Sequence, residues 1–172
     1  MTFPAELRFK LAPRDLSEAQ LAHLRSSRMF LLMFAVGVVN LAFAGVAFAG
    51  APANVPGYIL PLLAGLFFTA GLPLVAWVSA PAAFRRQPAL GDDVQLTVTE
   101  AGLAVRGAAA AGEERWPLYT SYLETRHLFL LYHGPRTFRL VPKRAFASPA
   151  DVEAFRDLVV DKVGRLRREW VM

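Results

Sequence analysis

The chain has 172 residues, 55% of them hydrophobic, with a formal net charge of +5 and no cysteine. Without Cys there is no disulfide, thiol nucleophile or Cys-ligated metal site. The basic residues are interleaved with acids instead of forming a concentrated basic face, which argues against nucleic-acid binding.

What stands out is where charge is missing. From Met29 to Phe84, 56 residues, there is no Asp, Glu, Lys, Arg or His. An ordinary soluble domain intersperses charge every few residues. The chain therefore divides into 1–28, a short strand and helix leading to the membrane; 29–84, a transmembrane helical hairpin; and 85–172, a small β-rich cytoplasmic domain.

In Leu7-Arg8-Phe9-Lys10-Leu11 apolar residues alternate with basic ones, the period of a half-buried strand. So short a strand needs partners, and it is expected to pair with strands beyond residue 90; a frayed segment is the other reading. Asp15, three residues before Glu18, predicts a capping box and a helix starting near Leu16.

The first span is placed at 29–49. At about 1.5 Å per residue its length matches a hydrocarbon core of about 30 Å. Gly37 and Gly45 are expected to pack against the second span, with Asn40 giving an interhelical hydrogen bond. Residues 50–57 (Gly-Ala-Pro-Ala-Asn-Val-Pro-Gly) read as the loop. The second span is placed at 58–80, with Pro61 in its first turn, Gly65 and Thr69 on the packing face, and Pro73 as an internal kink.

Arg25 and Arg28 precede the hairpin, Arg85 and Arg86 follow it, and the loop is uncharged. By the positive-inside rule both termini are expected to be cytoplasmic, with the hairpin tip facing out, as in a multi-pass membrane protein. A signal peptide, with cleavage after Ala47-Phe48-Ala49, is the competing reading. The apolar run is too long and starts too late for it.

Beyond residue 90 the period becomes two. Strands are expected at 94–98, 103–106, 113–116, 119–125, 127–133 and 137–141, forming an antiparallel meander. Residues 107–112 read as a loop, and Pro117 confines its strand to an edge or bulge. The closing helix is placed at 149–169. Ser148 is its cap, Pro149 its first residue, and Val152, Phe155, Val159, Val163, Leu166 and Trp170 its apolar stripe.

From Trp116 onward the chain resembles the YcxB-like membrane proteins of bacteria. The likeness rests on Trp116, Tyr122, Glu124-Thr125, Phe129 to Tyr132, the box Val141-Pro142-Lys143-Arg144-Ala145-Phe146, and Phe155. Pro117 and the alanine-rich insertion at 107–112 depart from the pattern. The resemblance implies a small pleckstrin-homology-like sheet or partial barrel closed by a carboxyl-terminal helix. It carries over no catalytic residue.

For chemistry, Lys143 and Arg144, with Arg136 and Arg139 nearby, form a basic cluster suited to anionic lipid headgroups or a protein partner. The competing reading pairs them with acids or carbonyls inside the domain. His127 and His133, six apart on one expected strand, are too distant to share a metal. A cleft joining Glu124, His127 and Tyr132 would favour an enzyme, but alternation sets Tyr132 opposite His127. No nucleophile or phosphate-loop motif is present.

The expectation is a membrane α-helical hairpin plus a small α+β domain that recognises a protein, peptide or anionic lipid headgroup, without catalysis, cofactor or metal. The alternative is a structural or assembly subunit acting through its hairpin, as a homo-oligomer or in a larger complex.

Overall fold

Two helices take up the uncharged block. The structure, a computed structural model, describes residues 4–86, 88–107, 111–135 and 137–163. Strand β1 (Ala5–Lys10) and helix α1 (Pro13–Ser26) precede helix α2 (Arg28–Gly50) and helix α3 (Val55–Arg86). At 23 and 32 residues, both are long and apolar enough to cross a membrane. Their lengths are roughly 35 and 48 Å against a hydrocarbon core of about 30 Å, so α3 reaches well beyond it. Among the described residues, the exposed large apolar side chains all lie on these two helices except Leu118 and Val160. A soluble core helix would bury that surface instead.

The contact between α2 and α3 is thin. Only Phe30, Gly37 and Ala44 of α2 are buried, at steps of seven residues. A Cβ on Gly37 would sit 2.8 Å from Thr69 Cγ2 and 3.2 Å from the Gly65 carbonyl, and one on Gly65 would sit 2.6 Å from Leu41 Cγ. Gly37, Gly65 and Thr69 therefore meet as expected. Gly45 does not: nothing lies within 4 Å of its Cβ position. Seven residues advance a helix by about two turns, ending roughly 20° off the starting face, whereas eight end roughly 80° off it on the other side. Ala44 thus takes the place assigned to Gly45. Asn40 is also corrected, since its Nδ2 donates to Val36 O of its own helix at 2.9 Å.

Helix α3 begins earlier than residue 58. Pro56 occupies its first turn and Pro61 is internal. In place of a simple kink at Pro73, a π turn covers Phe67–Gly71, with the Leu72 N–H donating to Phe67 O. Proline removes a donor and crowds the carbonyl four residues back, and a wider turn relieves both. Helix α1 also starts earlier than Leu16. Pro13 is in its first turn, Ala12 is the cap, and Asp15 Oδ2 accepts from the Ala12 N–H at 2.7 Å. Asp15 is the returning carboxylate of the box, not its cap.

The remainder is β2 (Asp93–Val98), β3 (Gly102–Arg106), β4 (Ala111–Arg115), β5 (Ser121–Glu124), β6 (Leu128–Tyr132), β7 (Phe138–Pro142) and helix α4 (Pro149–Lys162). Strand β1 pairs antiparallel with β2, Leu7 opposite Leu96 and Phe9 opposite Val94. The expected single meander is broken into two sheets, β1-β2-β3-β4 and β5-β6-β7. The break falls at Trp116–Leu118, where Pro117 sits in a 3₁₀ turn and Trp116 is buried, its Nε1 donating to Thr99 O at 3.1 Å. Gly102 is required at the β3–β4 pairing, because a Cβ there would lie 2.1 Å from Glu114 O.

Both sheets and α4 share one core, including Leu7, Leu96, Val105, Phe129, Phe155 and Val159. Phe146 of the box is buried there as expected. A second cluster packs Ala19 of α1 on Leu128, Leu130, Tyr132 and Leu140. Strand β6 is therefore covered on both faces, and all five of its residues are buried, which is why it reads as a continuous apolar run. The other side of α1 meets α3: Ser17 Oγ donates to Trp77 O and Ser79 Oγ to Gln20 Oε1, each at 3.2 Å. Helix α1 is thus the element through which the sheets rest on the hairpin.

The start of α4 is as expected, with Ser148 Oγ accepting from the Asp151 N–H at 3.2 Å. Its later portion, with Leu166 and Trp170, lies outside the described residues.

Candidate functional site

Strand β7 ends at Pro142, and the chain turns through Lys143–Ala145 before α4. The Lys143 N–H donates to His127 O at 2.8 Å, which fixes this turn beside the β5–β6 connection. From it the Lys143 ammonium points inward. Its Nζ donates to Glu124 Oε1 at 2.5 Å and to Thr125 O at 2.7 Å, and sits 5.1 Å from the centre of the Phe129 ring. Arg156 of α4 grips the same carboxylate through Nε and Nη2 at 2.9 and 2.8 Å.

Arg144 reaches the other way. Its two terminal nitrogens hold Asp15 at 2.7 and 2.6 Å, and Nη2 also donates to Lys10 O at 2.7 Å. Arg139 forms a forked pair with Glu114, which also accepts from the Tyr119 hydroxyl. Three of the four cations proposed for ligand binding are therefore held internally. Arg136 lies outside the described residues. Lys143 and Arg139 pair with groups inside the domain, as the competing reading has it, whereas Arg144 pairs with Asp15 and Lys10 O in the segment before the hairpin.

These pairs shift the acids together. Burial raises the Asp15 carboxyl, but the Arg144 hydrogen bonds, the Ala12 N–H and the nearby guanidinium charges outweigh it and hold it below its ordinary value. For Glu114, burial is likewise outweighed by Arg139 and Tyr119. For Glu124 the Arg156 hydrogen bond is the largest influence, with Lys143 adding to it against burial. The Tyr119 hydroxyl is pushed up, by burial and then by Glu114.

Around Arg144 opens a cleft of about 310 Å³, lined by Arg14, Asp15, Glu18, Arg126, His127, Lys143 and Arg144. Helix α1 supplies its first turn and the β5–β6 turn supplies Arg126 and His127. His127 Nδ1 pairs with Glu18 Oε2 at 2.9 Å. Among the described residues, neither Arg14 nor Arg126 joins an ion pair, and both are exposed. The cleft has four permanent cations against two carboxylates, and the arrangement suits an anion. Sequence reasoning missed Arg14 and Arg126, and also Asp15 and Glu18 as partners. The Arg144–Asp15 contact joins residues 129 apart, a distance no local pattern reveals.

The enzyme constellation is not assembled. Glu124 is held by Lys143 and Arg156, His127 by Glu18, and the Tyr132 hydroxyl lies 3.0 Å from His23 Nδ1. His127 and His133 flank β6 rather than lying within it, and both are exposed. Among the described residues, no group of three or more His, Cys, Asp or Glu is placed to hold a metal ion.

A hairpin of two bilayer-length helices joined to antiparallel sheets and a closing helix defines the architectural class. Within it, residues 98–159 match the family model of the YcxB-like protein. That stretch contains the box and Glu124, whereas Asp15 and the whole of α1 precede it. No curated protein and no solved structure matches the chain.

Proposed function

We propose that the chain is an integral membrane protein whose YcxB-like domain binds an anionic group, foremost a lipid headgroup at the membrane surface, in the cleft of Arg14 and Arg126. The reading is of recognition without catalysis. The observation that carries it is the pair of exposed arginines beside box cations already held by carboxylates. Near-surface cations attract anionic headgroups by about 1 kcal/mol each.

The flanks of the hairpin support a single-sided arrangement in a bacterial inner membrane. Strand β1 comes before α2 and its partner β2 after α3, so one folded unit requires both flanks on one face of the bilayer. Arg25, Arg28, Arg85 and Arg86 make that face cytoplasmic. Two sheets curled around α4, as in a pleckstrin-homology-like partial barrel, fit the same reading, supported by the core they share.

The test is titration of the full chain, held in zwitterionic nanodiscs, with water-soluble dihexanoyl phosphatidylglycerol. Saturable, salt-sensitive binding is expected. Arg14→Ala with Arg126→Ala should weaken it about thirtyfold with only a small change in melting temperature, since among the described residues neither forms a close ion pair and Arg14 acts on Asp15 through charge alone. An affinity unchanged by the double substitution would overturn the reading.

A further inference from the structure

A second cavity, of about 280 Å³, is lined by residues of both sheets. Its walls combine Val94 of β2 with Phe138 of β7, two strands that are not hydrogen-bonded to each other. The segment leaving the hairpin adds Phe84, from the last turn of α3, and Leu90. The lining is predominantly apolar. Its polar members are Arg139, whose guanidinium is held by Glu114, and His133.

That chemistry selects the occupant. An ion entering here would lose hydration and find the nearby guanidinium already paired. Hydrocarbon loses nothing comparable and removes apolar surface from water. The volume lies just below the range of ligand sites, about 300 to 1,000 Å³, so it suits the end portion of one chain and not a whole diacyl lipid.

The source follows from continuity with the hairpin. Phe84 and Trp77 belong to the same helix, seven residues apart, or roughly 10 Å along it. Trp marks the interface of a spanning helix, and the headgroup layer beyond the hydrocarbon is about 5–8 Å deep. The Phe84 wall therefore stands a few ångströms beyond that layer, within reach of it along the helix. From these observations we infer that the cavity receives the end portion of one acyl chain of a bilayer lipid, drawn from the leaflet along the end of α3. The inference rests on α2 and α3 spanning the membrane, but not on the cationic cleft.

Photolabelling tests it. The full chain is reconstituted in nanodiscs containing a phosphatidylglycerol with a diazirine in one acyl chain, irradiated, digested and mapped by mass spectrometry. Label is expected on α2 and α3, and also on the peptides carrying residues 90–96 and 138–140. Val94→Trp and, separately, Leu90→Trp fill the cavity and should cut labelling at 138–140 about tenfold, leaving the spans labelled as before. Label confined to the spans in the wild type would overturn the cavity proposal alone. Unchanged labelling at 138–140 in both variants would also overturn it. Spans that take no label would overturn the membrane reading and the cavity proposal together.

Discussion

Strand β6 and helix α2 are both apolar runs, yet they treat their side chains in opposite ways. All five residues from Leu128 to Tyr132 are buried. Of the 23 residues in α2, only Phe30, Gly37 and Ala44 are. The strand lies between two protein layers in water, where large side chains gain by being covered. In the helix, Val39 and Val46 are 66% and 74% exposed, and lipid would solvate them as well as protein does. There, association depends on close backbone approach, and glycine does what phenylalanine does in the sheets.

The largest break in this comparison should come from the core. Phe155 has no exposed surface and packs its ring 5.1 Å from both Phe129 and Phe146. Phe155→Ala should destabilise the sheet unit by about 3–5 kcal/mol. This would be read from the denaturant dependence of tryptophan fluorescence in detergent, with the helical signal of the hairpin retained.

On the membrane side the sensitive positions are small residues. Gly37→Val should cost about 1–3 kcal/mol through overpacking against Thr69 and Phe68. Gly45→Val should be neutral, because its Cβ position meets open space. Disulfide cross-linking between introduced cysteines on α2 and α3 would separate the two: Gly37→Val should slow it and Gly45→Val should not.

Acid should act only on the sheet unit. Asp15, Glu18, Glu114 and Glu124 are all held below their ordinary values of 3.8 for Asp and 4.5 for Glu. A lowered carboxylate contributes stability that is present above its ordinary value and lost as pH falls through its folded value. The melting temperature of the sheet unit should therefore hold from neutrality to about pH 5 and fall below about pH 4. Asp15→Asn should start lower and fall less steeply.

The smallest effect belongs to Asn40. Its amide bonds back to Val36 O of its own helix, so Asn40→Leu should change hairpin stability by less than about 0.5 kcal/mol. Cross-linking rates would show the same.

What was legible in the sequence follows the range of the forces involved. Hydropathy and period found α2, α3, most strands and the Ser148 cap, since each depends on neighbours a few residues away. The Gly37–Gly65–Thr69 contact was legible because small residues at helical spacing have few other uses in a membrane. Gly45 misled because an eight-residue step looks periodic while rotating off the seam. The two-sheet break was half visible: Pro117 signalled an edge, but the burial of Trp116 that turns the chain is tertiary. The site was the least legible part. Lys143 and Arg144 read as cations open to a ligand, because their partners Glu124 and Asp15 lie 19 and 129 residues away, and only the fold shows that the box closes on α1.

That closure matters most: the box between β7 and α4 clasps α1, the helix that packs against α3. A double-mutant cycle tests it most directly, with Asp15→Ala, Arg144→Ala and the pair compared by denaturant unfolding of the sheet unit at neutral pH. The forked contact, with Asp15 buried and Arg144 partly exposed, predicts a coupling energy of about 1 kcal/mol, so that the second substitution costs less once the first is made. Additive effects, with coupling near zero, would contradict it and return Arg144 to the solvent.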